Sequence, residues 1–379
     1  MSSAVETSTI RKREDSSTAA GTTKHNARIP MIDTDAKLAA FLPEMERAER
    51  LGVDTEADSL HSYREKLCLL QISFGGADFL IDPLARMDLA PLRAALTGKE
   101  LVLQGADYDL RLLRRSFAFE ATKVFDTVIA ARLLGIREFS LQALIQRYFE
   151  VTLPKGSQKA NWARRPLPRE MAEYAMNDTH YLLALAEKME AELRARGRHD
   201  WFEQSCRRAV EAAAVERTRD EDDAWRISGG GALRGKAAAV LRALWRWRET
   251  EAEAVDRPPF HVLQNHLLIK AAMQFVAGET PEFRHFSPRR RRTFIDAAKE
   301  ALELPESEWP QRKRGTGHRP TREMERRAEA LRQRRDQAAN EQGIEASFIA
   351  ARGALDALAA DESRSEALLV PWQRQLLKL

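Results

Sequence analysis

The apolar positions change their period along the chain, and those changes divide it. Residues 1–29 are rich in Ser, Thr, Lys and Arg, carry no apolar period and read as a disordered arm. Asp35-Ala36-Lys37 opens a helix in which Leu38, Phe41, Leu42 and Met45 recur at spacings of three and four. Short apolar runs then predict strands over 51–56, 67–74 and 78–81, with Gly75-Gly76 as the turn between the last two. Strands joined that tightly pair antiparallel. Further strands are expected at 101–103 and 124–125, with helices at 109–116, 127–134 and 140–149. Prolines 154, 166 and 168 make 152–168 a loop, and one long helix is expected over 169–195. A meander of three strands followed by strand–helix–strand–helix predicts an α/β domain over residues 30–205.

Beyond about residue 205 the strand signals stop. Leu233, Ala237, Val240, Leu241, Leu244 and Trp247 form a helical stripe within a helical domain placed at 218–298. From Phe283 to Gly317 the text is basic and proline-containing and reads as a connector, and residues 320–379 are again helical.

Composition narrows the class. Apolar residues are 44% of the 379, enough for ordinary cores. The 61 basic and 57 acidic side chains leave a net charge of +4, so any affinity for nucleic acid must come from local clusters. No run approaches the ~18 apolar residues of a membrane helix, and the opening MSSAVETSTIRKRED lacks the apolar core of a secretory signal. Two cysteines, Cys68 and Cys206, are too few for a disulfide framework or a cysteine zinc site. A cytoplasmic setting and a monomer are the expectations, with no partner membrane.

Candidate chemistry lies in the acids. Asp54 and Glu56, two apart at the end of the first predicted strand, share one face. Asp109 follows the fourth strand, and Tyr174 and Asp178 are four apart on the long helix, hence neighbours on one side. Four carboxylates gathered at one spot repel, by about 4 kcal/mol for a pair 4 Å apart at an effective dielectric near 20. Divalent cations remove that cost. Hard oxygen donors suit Mg²⁺ or Mn²⁺, and two such ions clamp the attacking and leaving oxygens of a phosphodiester. The residue types therefore point to phosphoryl transfer assisted by metal rather than to a nucleophilic Ser or Cys.

Three stretches carry a family resemblance: Val53-Asp54-Thr55-Glu56-Ala57-Asp58, Gly105-Ala106-Asp107-Tyr108-Asp109-Leu110 and Tyr174-Ala175-Met176-Asn177-Asp178. They resemble, in order, the three motifs of the DEDDy 3′→5′ exonucleases, and among these the ribonuclease D family. The resemblance covers about residues 28–205. It implies an RNase H-like mixed sheet flanked by helices, with Asp54, Glu56, Asp109 and Asp178 as ligands of two divalent cations and Tyr174 positioning the attacking water. Asp107 rivals Asp109, and the resemblance favours the acid directly before Leu110. Gln104 and Asn161 depart from the family's commoner His and Asp. Asp126 reads as a helix cap and Asp58 as a loop acid. Residues 225–277 resemble an HRDC domain, and 320–379 a second, degenerate copy, so the chain reads as an α/β nuclease followed by all-α HRDC-like modules.

Basic clusters are the candidates for holding nucleic acid. Lys155, Lys159, Arg164 and Arg165 lie in the proline-rich loop, and Arg289, Arg290, Arg291 and Arg292 form the densest basic run. Residues 312–335 hold ten basic and three acidic side chains, a local net of +7. The expected activity is exonucleolytic release of 5′-mononucleotides from RNA 3′ ends, with transfer RNA precursors as the substrates that the resemblance implies. Two rivals stay open, a DNA 3′→5′ exonuclease and a non-catalytic nucleic-acid-binding scaffold.

Overall fold

A computed structural model describes residues 31–154, 156, 158–216, 222–311 and 321–379. The expected N-terminal arm and Lys155 lie outside the described residues. The described residues from Met31 to Ala214 build a six-stranded mixed sheet with helices on both faces, in the order β1 (Met31–Ile32), α1 (Asp35–Glu46), β2 (Arg50–Ala57), β3 (Leu67–Phe74), β4 (Ala77–Ile81), α2 (Ala90–Leu96), β5 (Glu100–Leu103), α3 (Asp107–Phe117), β6 (Lys123–Asp126), α4 (Thr127–Leu133), α5 (Leu141–Phe149), α6 (Arg169–His180), α7 (Leu182–Ala195) and α8 (His199–Ala214). The strand order is β1-β4-β3-β2-β5-β6. As expected, β2, β3 and β4 form an antiparallel meander, and β5 and β6 add in parallel.

Every residue of β3 is buried, as the unbroken run LCLLQISF requires of a strand covered on both faces. Leu51, Val53, Leu70 and Ile72 face α1, α2 and α3. The alternate residues face α6 and α7: Leu69 and Leu80 pack on Ala172 and Ala175, and Ser73 Oγ donates to Thr179 Oγ1. The two-residue β1 was not foreseen, because it is too short to show an alternation. Position 205 lies inside α8, which packs on α3 and β6, so the α/β unit runs on to Ala214. The expected single helix over 169–195 is two helices. The break falls at Tyr181 (φ −95°, ψ −7°, still right-handed), next to Thr179 and His180, which are tied to Ser73 and Asp78 of the sheet.

The remaining described elements are helical. α9 (Gly235–Ala254), α10 (Pro259–Val262), α11 (Asn265–Val276) and α12 (Pro288–Glu303) enclose a core of their own around Trp225, Leu241, Leu244, Trp247, Phe275 and Phe294. The basic stretch read as a connector therefore contains the helix α12, whose apolar face of Phe294, Ala298 and Ala301 is buried and which extends past position 298, while residues 312–317 of that stretch lie outside the described residues. α13 (Arg322–Gln342), α14 (Ala346–Ile349), α15 (Arg352–Ala360), α16 (Ser365–Leu368) and α17 (Pro371–Leu377) pack back onto the α/β unit instead. Among the described residues, no helix is long and apolar enough to cross a membrane. Cys68 and Cys206 are buried free thiols.

Candidate active site

The sheet opens where the acids lie. β2 is paired with β5 only over Arg50–Gly52, while its partnership with β3 continues to Ala57. Past Gly52 its β5 side is open, the crevice that parallel strands leave at their carboxyl ends. Asp54 and Glu56 project there toward α6. Carboxylate oxygens of Asp54, Glu56 and Asp178 lie within 4.8 Å of one another. Tyr174, one turn before Asp178 on α6, lies beside that carboxylate and lowers its pKa.

Asp109 arrives from the other face of the sheet. It is buried at the start of α3, and the Thr55 hydroxyl donates to its Oδ1. It stands outside the 4.8 Å group, yet its charge raises both Asp54 and Glu56. Asp107, the rival, is exposed and paired with Arg111. The sequence holds no sign of the bond between Thr55 and Asp109, because the two are 54 positions apart. Asp126 caps α4 through Val128 and Ile129, as expected, and also accepts from Gly105 and Ala106. It thereby fixes the turn that delivers Asp109. Asp58 is fully buried, accepts from the Ser62 hydroxyl and Lys66, and fastens the loop after β2.

The electrostatics follow from burial without a counter-charge. Among the described residues no Lys or Arg forms an ion pair with any of the four acids. Burial, then the charges of Asp178 and Asp109, pushes Glu56 up to about 9. Burial pushes Asp178 up to about 7 against the lowering effect of Tyr174, and Asp109 up to about 6 against the Thr55 hydrogen bond. Asp54 is raised well above the carboxylate range by burial and by the other three acids. Burial and the neighbouring Asp178 and Glu56 also raise Tyr174, so its phenol keeps its proton at neutral pH. An all-oxygen donor set without His or Cys fits Mg²⁺ or Mn²⁺ and not a zinc-type site.

The proline-rich loop lies against Tyr174. The Trp162 and Tyr174 rings are 6.1 Å apart, and a Cβ on Gly156 would sit 1.8 Å from Tyr174 Cδ2, so only glycine admits that approach. Arg165, expected to touch phosphates, is committed inside the protein. It forms a two-pronged pair with Asp82 at 2.6 and 2.7 Å and donates to the Cys68 and Trp162 carbonyls. A guanidinium so engaged anchors the loop. Lys159 and Arg164 are exposed. Arg289 and Arg290 both pair with the buried Glu251, at 3.4 and 2.9 Å, yet only Arg290 is half-buried there, and Arg289, Arg291 and Arg292 are exposed. Gln104 is internal, bonded to the Phe139 carbonyl and the Thr127 hydroxyl.

Residues 29–194 match the 3′-5′ exonuclease family model, and residues 237–275 match the HRDC domain. Ribonuclease D of Sphingobium indicum is 32% identical over 248 residues, 64% of this chain and 63% of that protein. Over these regions the chain is similar to the ribonuclease D family of 3′-5′ exonucleases. Human exosome complex component 10 is 34% identical over 268 residues, 64% of this chain and 29% of the human one. The alignments thus span less than two thirds of the length of these curated relatives. Escherichia coli RNase D, described as an exoribonuclease involved in structured RNA processing, superposes with a TM-score of 0.68 at 23% identity, covering 93% of this chain and 99% of that one. A Bifidobacterium adolescentis protein superposes at 0.76 and 24% identity, covering 92% and 94%. At those identities the shared property is the ribonuclease D fold.

Proposed function

We propose that this chain is a divalent-metal-dependent 3′→5′ exoribonuclease that releases 5′-mononucleotides, with structured RNAs such as transfer RNA precursors as substrates. The observation that carries the reading is the meeting of the Asp54, Glu56 and Asp178 oxygens within 4.8 Å, from two elements more than a hundred residues apart. Asp109 joins them as the fourth ligand in this reading. Divalent cations at these acids supply Lewis acidity to the scissile phosphate and to water. Tyr174, held protonated, orients the attacking water through its hydroxyl and acts by positioning rather than as a base. The water oxygen attacks phosphorus, the P–O3′ bond breaks, and the departing 3′ oxygen takes up a proton. One nucleoside 5′-monophosphate leaves, and the RNA keeps a 3′ hydroxyl. The exposed Lys159, Arg164, Arg291 and Arg292, with Lys155, are proposed to meet the RNA backbone. The division into a nuclease unit, an HRDC unit reaching through α12, and a second degenerate copy over 320–379 belongs to the same proposal, as does a cytoplasmic monomer.

Digestion of a 5′-labelled RNA tests it. The expected result is stepwise shortening from the 3′ end with Mg²⁺ or Mn²⁺, none with chelator, and a loss of about 10²–10³-fold or more in Asp54→Asn and Asp178→Asn. Undiminished activity in either variant overturns the metal assignment. A matched DNA oligonucleotide cut as fast as the RNA overturns the substrate.

A further inference from the structure

Gln71 sits in the middle of β3 with no exposed surface. Both of its side-chain atoms, Nε2 and Oε1, are buried without a hydrogen-bond partner. An amide removed from water and left unpartnered destabilises the fold, so a chain that keeps one at the centre of its sheet has a use for it. Its neighbours narrow that use. The register sets Gln71 opposite Asp54 on β2 and opposite Leu80 on β4, and cross-strand partners share a face. Along β3 its same-face neighbours are Leu69 and Ser73. Leu69 and Leu80 offer nothing polar, and the Ser73 hydroxyl is engaged with Asp78 and Thr179. Of these four, Asp54 is the neighbour with carboxylate oxygens to offer. Directly opposed residues of an antiparallel pair have Cβ atoms about 4.5–5.5 Å apart, which a glutamine side chain spans.

We infer that Gln71 is the positioning residue of Asp54, its amide donating to the Asp54 carboxylate when that side chain turns to hold a cation. Such a bond directs one carboxylate oxygen to the ion by occupying the other. It explains the buried amide as a group whose partner is completed by the loaded site. The inference rests on the metal-dependent reading above, because Asp54 has no reason to reorient without a cation.

Mn²⁺ titration of the full chain by calorimetry, alongside thermal unfolding with chelator, tests it. Gln71→Met conserves volume and removes both polar groups, and Gln71→Leu serves should Met not fit. The expected result is Mn²⁺ affinity weakened about 10–100-fold, the usual cost of losing an outer partner of a metal ligand. The metal-free melting temperature should stay level or rise, because the unpartnered amide is gone. An amide with a merely structural role gives the opposite pattern, lower melting with unchanged Mn²⁺ affinity, and overturns the inference. Equal Mn²⁺ binding by the unsubstituted chain and Gln71→Met overturns it as well. Absence of Mn²⁺ binding by the unsubstituted chain overturns the nuclease reading itself.

Discussion

Residues 235–263 and 322–350 follow one backbone course. Each begins with a long helix, of 20 residues in α9 and 21 in α13, and continues into a single four-residue turn of helix. Each leaves that turn at nearly the same dihedrals, φ −160° and ψ 129° at Leu263, φ −157° and ψ 128° at Ala350. What differs is where the apolar face goes. The first module closes on itself, with Phe294 ringed by Trp247, Phe275, Phe283 and Phe286. It meets the nuclease unit at residues 63 and 64: Tyr63 packs on the edge of that core and its N donates to Asp256, and the exposed Arg64 pairs with Glu253.

Among the described residues, the second module shares its core with the nuclease unit instead. Trp372 is buried against the nuclease unit, stacked on Trp201 at 5.0 Å, with its Nε1 donating to Ser205. Leu355, Leu358 and Ile349 share one apolar cluster with Phe125, Leu144 and Met189. Arg132 lies 4.4 Å over the Phe348 ring and pairs with Glu345. A Cβ on Gly135 would come within 2.3 Å of the Gly343 carbonyl oxygen, and its φ of +73° also demands glycine. One helical plan can thus serve as a separate body or as a wall of its neighbour. The choice lies in which side chains are large, not in the backbone.

Trp372→Ala is the strongest way to break this contrast. Truncating a buried tryptophan costs about 3–5 kcal/mol, which in a unit of this size lowers melting by roughly 6–20 °C. Calorimetry should place that fall in the transition of the nuclease unit and leave the HRDC transition where it was. A nuclease transition left untouched would show that the two do not share a core. Phe294→Ala is the mirror experiment, with about 3–5 kcal/mol lost from the HRDC transition alone. A matching fall in the nuclease transition would refute the separateness of that module. The smallest effect belongs to Arg64→Ala at the polar contact. Both side chains are exposed, so the pair contributes about 1 kcal/mol or less, and neither transition should move by more than that. A larger shift would make the contact a structural joint.

How much of the molecule was legible depended on whether a signal is local. Alternation and period placed five of the six strands, and Leu38, Phe41 and Met45 are the buried face of α1 as their spacing demands. The acids Asp54, Glu56 and Asp178 were legible because their order along the chain carries the family's pattern. Less legible were the internal partners of Arg165 and Arg290, because the carboxylates they meet, Asp82 and Glu251, arrive from distant positions.

The chain alone therefore determined five of the six strands, the chemistry of the donor set and the division between sheet and helices, since each depends on residue type and near neighbours. Only the tertiary structure decided that Thr55 holds Asp109, that Gln71 lies opposite Asp54 with its amide unmet, and that one helical module stands apart while the other shares the nuclease core. Those facts are contacts between residues remote in sequence. Burial, pairing and charge neutralisation at such contacts are set by the geometry of packing, which no local pattern encodes.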